Sequence, residues 1–545
     1  MNKNKKKKYY KKSIMLVIDA LRYDTVNNSF LYPTLSQLIK NGIYKKVIAN
    51  ACSTQFVLPS LFSLTYPLDN GGYNFGIRDR KSSYVESIKR KYKRKIIMIS
   101  SCNQMGIGTS YDRGFDEILT TFDFRLLIEQ KINRTLLYEV NLYFNKKISK
   151  NKIIKILQKE FAITLEQLDK YYKQYDQTLW PKKLRKINKF VYENSKLEKK
   201  ILFHSPEIII NKIKNIPGGV YWLTLGKTNY VSFNYFWTRL KTGIAWRTGK
   251  IVTKQRLWPF LILSHYQVLF GEILKKILDK ISKIKNEEWH IHMHIMDLHD
   301  SRSINRFFHL LSRFRFLFKW FIARISGNTN QRFTYVSSLM YIDKCIKTFL
   351  NHLQKENILK DTLLLITADH ACYYPESPRK KPPRMGERGY YEDLDIPLIL
   401  LHKHNKKIER NICDSMGVTA TFLEILNVPL DKSYKGQSIF KKGKKFVISE
   451  NAGTGNADLK RKDLFFAITT NEYKLMLVLN SKKLTVIKFF NISEDPKEKN
   501  NLLPLGKNPT HTKIVEKLVT IVYEERKNIF DLRGIKNLES CYNVK

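Results

Sequence analysis

A buried strand that ends in two metal-binding residue types constrains this chain more than any other feature. Residues 363–367 read Leu-Leu-Leu-Ile-Thr, and Asp369 and His370 follow almost at once. A nearly unbroken apolar run of this length is typical of a parallel strand that is covered on both faces. Open α/β sheets bind ligands at the carboxyl ends of such strands, where a carboxylate and an imidazole can share one divalent metal ion.

A lone Asp-His pair is more often a helix cap or a surface pair, so the pattern needs support from elsewhere in the chain. Residues 13–19 provide it, because the apolar run Ile-Met-Leu-Val-Ile also stops on a carboxylate, Asp19. Two strands with the same ending favour a shared site at one edge of a sheet.

The length and the charge of the chain limit which architectures and which partners are possible. The 545 residues exceed one simple core and 43% of them are hydrophobic, so we expect a large α/β domain with a smaller appendage. The net charge of +48, from 97 basic and 49 acidic residues, favours anionic partners such as an acidic polysaccharide or an anionic membrane surface. We do not expect nucleic acid. The lysines are scattered among many Ile and Asn residues, so the codon bias of a low-GC genome also explains the charge.

Neither the cysteines nor the first residues indicate export. Six cysteines are widely spaced and form no Cys-x-x-Cys pair, which excludes a disulfide scaffold. The basic residues 1–12 precede a short apolar run that Asp19 interrupts, too short for the apolar core of a signal peptide. No stretch offers the roughly 18 uninterrupted apolar residues of a membrane span. We therefore expect a cytoplasmic protein, with peripheral contact to a membrane surface left open.

The pattern divides the chain into a basic tail at 1–12, a catalytic domain at 13–444 and a small C-terminal domain at 445–545. Within the catalytic domain, residues from about 125 to 285 are helical, basic and aromatic in pattern, which indicates a large helical insertion. The other predicted elements are strands at 13–19, 93–100, 363–370 and 397–401, a strand followed by a polar loop at 289–300, and helices at 34–41 and 337–353.

Residues 302–325 form a basic, aromatic stretch with two interpretations. It could lie on a membrane interface. It could also pack its aromatic face against the protein, which is the interpretation that we favour.

Six landmarks and a C-terminal signature carry a family resemblance. In chain order they are Leu-Val-Ile-Asp-Ala-Leu-Arg-Tyr-Asp at 16–24, Pro-Ser-Leu-Phe-Ser at 59–63, Asp-Leu-His-Asp at 297–300, Thr-Ala-Asp-His at 367–370, Tyr-Tyr-Glu-Asp-Leu-Asp-Ile-Pro-Leu-Ile at 390–399, Gly-Gln-Ser-Ile at 436–439 and the Asp-Pro-containing segment at 489–502. Their order and spacing resemble those of the sulfatase-like branch of the alkaline-phosphatase superfamily.

This resemblance extends from residue 13 to about residue 505. It implies an α/β fold with a mixed, mostly parallel sheet sandwiched by helices, and a smaller C-terminal α+β domain. It also implies a metal-dependent hydrolase or transferase that acts on a sulfate or phosphate ester, and we expect an anionic glycan or lipid to carry that ester.

The resemblance assigns Asp19, Asp369 and His370 as ligands of a divalent ion, which could be Ca, Mg, Mn or Zn. Such an ion offsets the repulsion between an anionic ester and an anionic nucleophile. Family members usually carry two adjacent aspartates at the first position, whereas this chain has Asp19 followed by Ala20. We expect Asp24 to cap the following helix rather than replace the missing ligand.

The nucleophile departs from the sulfatase pattern. In sulfatases a Cys-x-Pro-Ser-Arg cysteine is oxidised to formylglycine, but Val57 stands at that position here, and Cys52 lacks the surrounding motif. Residues 54–63 instead resemble the segment around the nucleophilic threonine of phosphoethanolamine transferases. This match makes Thr54 the expected nucleophile and favours phosphoryl over sulfuryl chemistry, with Ser60 or no nucleophile as alternatives.

Two further residues match family positions near the transferring group. His299 corresponds to a histidine that could act as general acid or bind a second metal, a role that Asp297 could also take. Arg388 could hold an anionic oxygen of the substrate. His292 and His294 alternate on the preceding strand and are expected to pack within the sheet.

A non-catalytic protein is the competing hypothesis. A degenerate sulfatase fold could keep its shape, lose turnover and use its charge to bind a polyanion. The missing second aspartate and the open choice of nucleophile motivate this alternative.

Overall fold

The computed structural model describes most of the chain. The described residues are 10–106, 108–215, 256–257, 261–262, 268–299, 310–373, 388–402, 407–409, 412–453, 456–505 and 509–542. Most of the basic tail, residues 216–255 of the predicted insertion and residues 302–309 of the aromatic stretch lie outside them.

A seven-stranded sheet forms the centre of the molecule. Its strands are β1 (Lys12–Ile18), β2 (Ile43–Ile48), β3 (Lys95–Ser100), β4 (Glu117–Thr120), β7 (Trp289–Ile295), β8 (Thr362–Thr367) and β9 (Asp395–Leu401), in the order β2-β9-β8-β1-β7-β3-β4. Strand β9 pairs antiparallel with both of its neighbours, and the other neighbouring pairs are parallel. Strands β1, β7 and β8 are buried almost throughout, which explains the nearly continuous apolar runs of β1 and β8. The predicted mixed, mostly parallel sheet is confirmed.

Helices flank this sheet. They are α1 (Pro33–Asn41), α2 (Thr54–Ser63), α3 (Tyr84–Lys91), α4 (Phe124–Lys131), α5 (Leu137–Phe144), α6 (Lys150–Gln174), α7 (Lys182–His204), α8 (Pro206–Asn215), α9 (Phe270–Lys283), α10 (Leu310–Ile325), α11 (Phe333–Lys355), α12 (Tyr391–Leu394), α13 (Ser415–Ile425), α14 (Pro509–Glu525) and α15 (Lys527–Leu532). Helices α2, α3 and α13 pack together, and α1, α9 and α10 contact α11. The helices predicted at 34–41 and 337–353 correspond to α1 and α11.

The segment predicted as a helical insertion lies between β4 and β7. Its described part contains α4 to α9 and a π-helical turn at Ile132–Leu136. It is not entirely helical, because β5 (Arg256–Leu257) and β6 (Leu261–Ile262) pair antiparallel within it. The periodicity of the sequence could not reveal this pair, since two residues are too few to show an alternation.

A second, antiparallel sheet follows towards the C-terminus. It consists of β10 (Val447–Asn451), β11 (Leu464–Thr469), β12 (Tyr473–Asn480) and β13 (Lys483–Asn491), paired in chain order. The buried Arg526 between α14 and α15 reaches across to Glu450 of β10 and to Asp69 near α2. These ion pairs connect the C-terminal helices to the second sheet and to the loop that follows α2.

Helix α10 only partly fulfils the expectation for the aromatic stretch. Phe316, Trp320 and Ala323 pack against the core, but Phe314, Phe318 and Phe321 are exposed in the described part of the molecule. The stretch is apolar on two opposite faces, and packing against α11 covers only one of them. Among the described helices, none combines the length and apolar character of a membrane span.

Candidate metal centre and active site

The carboxyl ends of β1 and β8 bring the three predicted ligands together. The strands are parallel neighbours with Val17 opposite Thr367, so Asp19 and the Asp369-His370 pair leave the sheet at the same edge. Ala20 adopts a left-handed backbone conformation with φ +62°, which is costly for a non-glycine residue. In this conformation the N–H of Ala20 points to Asp369 Oδ1 at 3.3 Å.

Ligand atoms from Asp19, Asp369 and His370 all lie within 4.8 Å of one another, and all three residues are buried. His370 Nε2 is 3.8 Å from Asp19 Oδ1 and 3.7 Å from Asp369 Oδ2. Within the described residues neither of those two carboxylate oxygens has a hydrogen-bond partner. Buried, unsatisfied carboxylate oxygens that face one imidazole are costly without a cation. The donor set therefore fits a divalent ion, which accepts carboxylate and imidazole ligands.

The electrostatics of these groups agree with that interpretation. Burial raises the pKa of Asp369, and the nearby carboxylate of Asp19 raises it further. Burial lowers the pKa of His370, but the carboxylates of Asp369 and Asp19 outweigh it, and the pKa is raised. Each shift reflects negative charge that this cluster concentrates away from water.

Thr54 lies against this cluster. It is the first residue of α2, directly after the extended Ser53. Its hydroxyl donates to Asp19 Oδ2 at 2.7 Å and lies 3.2 Å from His370 Nε2. The N-terminus of α2 adds the partial positive charge of its free N–H groups at the same point. The structure thus brings Thr54 into contact with two of the three predicted ligands, Asp19 and His370.

The alternative nucleophiles lie elsewhere. The Ser60 hydroxyl donates a hydrogen bond to the carbonyl of Thr65 at 2.9 Å, and the Ser60 side chain is buried. Val57 is fully buried and offers no nucleophilic atom. The thiol of Cys52 donates a hydrogen bond to Asn451 Oδ1 at 3.2 Å, and burial raises the pKa of that thiol well above its usual value.

His294 is a residue of the site that the sequence reasoning missed. Its Nε2 lies 3.9 Å from Asp369 Oδ2, and neither ring nitrogen has a partner among the described residues. Burial lowers the pKa of His294 to about 4, so the ring is neutral near pH 7 and able to act as a ligand or hydrogen-bond partner. In contrast, His292 packs in the sheet as predicted, with Nδ1 2.7 Å from the hydroxyl of Tyr84.

A signal for His294 was present in the sequence. Residues 290, 292 and 294 lie on one face of β7, and the last of them is nearest the carboxyl end. This position is level with the site, because His294 lies opposite Val17 of β1.

His299 and Arg388 lie at the periphery of the cluster. His299 is exposed in the loop after β7, close enough to His294 for its charge to contribute to the lowered pKa of that ring. Arg388 is held through its carbonyl by Asn451 Nδ2 at 3.0 Å. Its buried Nε has no partner in the described part of the chain, and its charge opposes the raised pKa of Cys52.

Asp393, in the Tyr-Tyr-Glu-Asp landmark, is a second site residue that sequence reasoning did not single out. It is buried, and its carboxylate contributes to the raised pKa of His370. Its carbonyl accepts a hydrogen bond from the N–H of Ala371 at 3.0 Å, which ties α12 to the end of β8.

Two carboxylates have partners other than those expected. Asp24 does not cap a helix, because α1 begins only at Pro33; it pairs with Arg22 at 2.6 Å instead. Asp297 was a possible second-metal ligand, but both of its oxygens accept from the N–H of Phe270 at the start of α9, at 3.0 and 3.3 Å. These contacts link residues far apart in the chain or depend on where a helix begins, which local sequence does not specify.

Comparison with known proteins agrees with the fold and the landmarks. The sulfatase family model matches residues 218–428. A comparison with curated protein sequences finds no match.

Several solved structures share the fold. The protein yidJ of Bacteroides fragilis, described as a candidate sulfatase, superposes with a TM-score of 0.56 at 11% identity, covering 99% of this chain and 100% of that one. A sulfatase from glycosaminoglycan metabolism in Bacteroides thetaiotaomicron gives 0.53 at 13% identity, covering 97% of each chain. A 2-O GAG sulfatase gives 0.50 at 10% identity, covering 96% of this chain and 93% of that one. The sulfatase family model thus matches less than half of the chain, and structures described as sulfatases share the fold of nearly all of it, so the chain is similar to sulfatases in its fold.

Proposed function

We propose that this protein hydrolyses or transfers an anionic ester group, with Thr54 as the nucleophile and a divalent ion bound by Asp19, Asp369 and His370. The observation that carries the proposal is the position of the Thr54 hydroxyl, 2.7 Å from Asp19 Oδ2 and 3.2 Å from His370 Nε2. A threonine hydroxyl is a weak nucleophile unless a neighbouring group activates it.

The ion, when bound, would supply positive charge that neutralises the ester oxygens and favours ionisation of the hydroxyl. The residues of the chain supply the rest. Asp19 orients the Thr54 hydroxyl through their hydrogen bond, and the N-terminus of α2 stabilises negative charge on that oxygen. Arg388 binds a non-bridging oxygen of the ester through its buried, unpartnered Nε.

The transfer itself proceeds in two displacements. Thr54 Oγ1 passes its proton to Asp19 Oδ2 along their hydrogen bond and forms a bond to the sulfur or phosphorus atom, while the bond to the leaving oxygen breaks and His299 protonates that oxygen. Water, or an acceptor hydroxyl in the case of transfer, then attacks the covalent threonine ester and replaces the proton that His299 gave up, while Asp19 returns its proton to Thr54 Oγ1 and restores the hydroxyl. Because the formylglycine position is Val57, we favour a phosphate ester, with a sulfate ester as the family's alternative.

An anionic glycan is the substrate class that we propose first. Structural neighbours include a 2-O GAG sulfatase and a sulfatase of glycosaminoglycan metabolism. The net charge of +48 suits a polyanionic substrate, because it raises the local concentration of such a ligand.

The test is a pair of threonine variants. Thr54→Ala should retain the fold and the bound metal but reduce turnover of aryl phosphate and aryl sulfate esters by roughly a thousandfold or more, because the attacking oxygen is lost. Thr54→Ser should retain part of the activity. Mass spectrometry should find the covalent adduct on the peptide that contains Thr54 in the wild type and not in the Ala variant.

Ser60→Ala is the matched control, since its hydroxyl points to Thr65 and is buried in the same helix. Full turnover in Thr54→Ala, or an adduct on another residue, would refute Thr54 as nucleophile.

A non-catalytic polyanion-binding protein is the second candidate. The alanine at the position of the usual second aspartate favours it, because Ala20 adds no ligand to the cluster. Binding of sulfated glycans without turnover of any ester by metal-loaded protein would support this alternative over the first.

A further inference from the structure

We propose that the exposed side of α10 docks on an anionic membrane surface. This side, the outer face of α10, comprises Phe314, Leu317, Phe318, Phe321, Ile322 and Ile325. The proposal is independent of the reaction that the site catalyses.

The outer face is a continuous stripe. Residues 314, 317, 318, 321 and 325 follow the spacing of one helical face, and the core-facing residues 316, 320 and 323 occupy the opposite side. Phe318 is 65% exposed and Ile325 is 72% exposed. Helix α10 has one apolar face that packs against the protein and a second apolar face that is exposed to solvent. The second face is not needed to pack the helix onto the core.

This exposure is concentrated at one place. Of the 13 large hydrophobic residues that are exposed in the described part of the chain, six belong to the outer face of α10. A seventh, Phe30, is close to α10, because Lys319 Nζ lies 5.3 Å from the centre of its ring. Singly scattered exposed hydrophobic residues need no explanation, whereas a contiguous patch marks an interaction surface.

Charge identifies the partner as an anionic surface. Helix α10 contains four basic residues and no acidic one. Arg315 and Arg324 flank the apolar stripe on opposite sides and are exposed. An apolar face bordered by Arg and Lys is typical of helices that lie in the interface of anionic membranes. A second copy of the chain is a poorer partner, because it would bring the same basic border against this one at a net charge of +48.

Hydrogen bonds connect the core-facing side of α10 to residues next to the candidate site. Trp320 Nε1 donates to the carbonyl of Gln331 at 2.9 Å, and Gln331 Nε2 donates to Thr25 Oγ1 at 2.7 Å. Tyr335, at the start of α11, donates its hydroxyl to the carbonyl of Ala20 at 3.2 Å, next to Asp19. Helix α10 therefore packs near the segment that follows β1 and carries Asp19.

The experiment is sedimentation of the full-length chain with vesicles of phosphatidylglycerol and phosphatidylcholine in equal parts, compared with phosphatidylcholine alone. We expect binding to the anionic vesicles only, and weakening as salt rises, since the Debye length falls from about 8 Å at physiological salt to ~3 Å at 1 M. The double change Phe318→Ser with Phe321→Ser should weaken vesicle binding about tenfold or more, because the two apolar rings that would be buried in the membrane are lost.

The matched control is Phe190→Ser with Phe203→Ser on α7, which is also basic and whose two rings are 46% and 49% exposed. This pair should bind vesicles as the wild type does, and both double variants should keep wild-type circular dichroism and metal content. Failure of the wild type to bind anionic vesicles, or equal losses in the two pairs, would overturn the proposal. So would a dimer in light scattering that the α10 pair abolishes while vesicle binding persists.

Discussion

Asp19 and Asp369 hold two buried carboxylates next to one imidazole, and a divalent ion is the partner that this arrangement fits. Asp369→Asn should lower both the metal content and the activity, because a neutral amide is a poorer ligand and compensates less of the charge of the ion. Metal analysis of the purified variant and an ester-turnover assay measure the two effects.

Asp24→Asn is the control for that change. Asp24 is a half-exposed partner of Arg22, so its loss should cost at most about 1 kcal/mol of stability and leave the metal in place. Unchanged metal content in Asp369→Asn would remove Asp369 from the site.

His294 and His292 separate a site residue from a structural one on the same strand. His294→Gln should weaken metal affinity and activity with little change in melting temperature, because the ring has no partner among the described residues except the nearby Asp369 carboxylate. His292→Gln should lower the melting temperature and leave metal affinity unchanged, since that ring packs on Phe62 and bonds to Tyr84. Metal titration and thermal unfolding of both variants provide the comparison, and a reversed pattern would contradict the assignment.

At the level of secondary-structure elements, Glu498 connects the second sheet to α12. It follows β13, accepts from the N–H of Tyr391 at 3.1 Å and pairs with Lys474 of β12. Burial raises the pKa of Glu498 to about 7, although Lys474 opposes the shift. A raised pKa in the folded state means that this group contributes stability at low pH, which is lost as pH rises from about 4.5 to about 7.

Glu498→Gln removes that titration. The free energy of unfolding of the wild type minus that of the variant should therefore decrease as pH rises through this window and stay level above it. Chemical denaturation at several pH values measures the difference. Glu494→Gln, an exposed change in the same loop, should show no such trend, and a difference that grows with pH would contradict the assigned pKa direction.

At the scale of the whole molecule, Arg526 holds the C-terminal helices to the rest of the protein. It is fully buried, bonds to Asp69 at 2.9 Å and pairs with Glu450. Arg526→Ala would leave two buried carboxylates without this partner and should destabilise the protein by about 3–5 kcal/mol. Denaturant unfolding measures the loss.

Lys527→Ala is the matched change one residue away. Lys527 pairs with Asp531 at the surface, so its loss should be hard to detect. Equal stability of the two variants would show that the buried ion pairs do not hold these parts of the molecule together.

The sequence by itself determined the central strands and the edge of the sheet at which the site lies. The apolar runs that end in Asp19 and in Asp369 and His370 are local patterns, and a strand buried on both faces must have such a pattern wherever it lies in the sheet. The order of the landmarks likewise predicted the similarity to sulfatases and, through Thr54, the position at which to seek a nucleophile.

Only the tertiary structure decided which partner each polar side chain has. His292 and His294 read alike in the sequence, but one bonds to Tyr84 and the other faces Asp369. Asp297 accepts a hydrogen bond from the start of α9, and the outer face of α10 stays exposed although it is as aromatic as the inner one. Hydrogen bonds and burial depend on residues far away in the chain. The sequence pattern therefore predicts on which face of a helix or strand a side chain lies, but not which residues pack against that face.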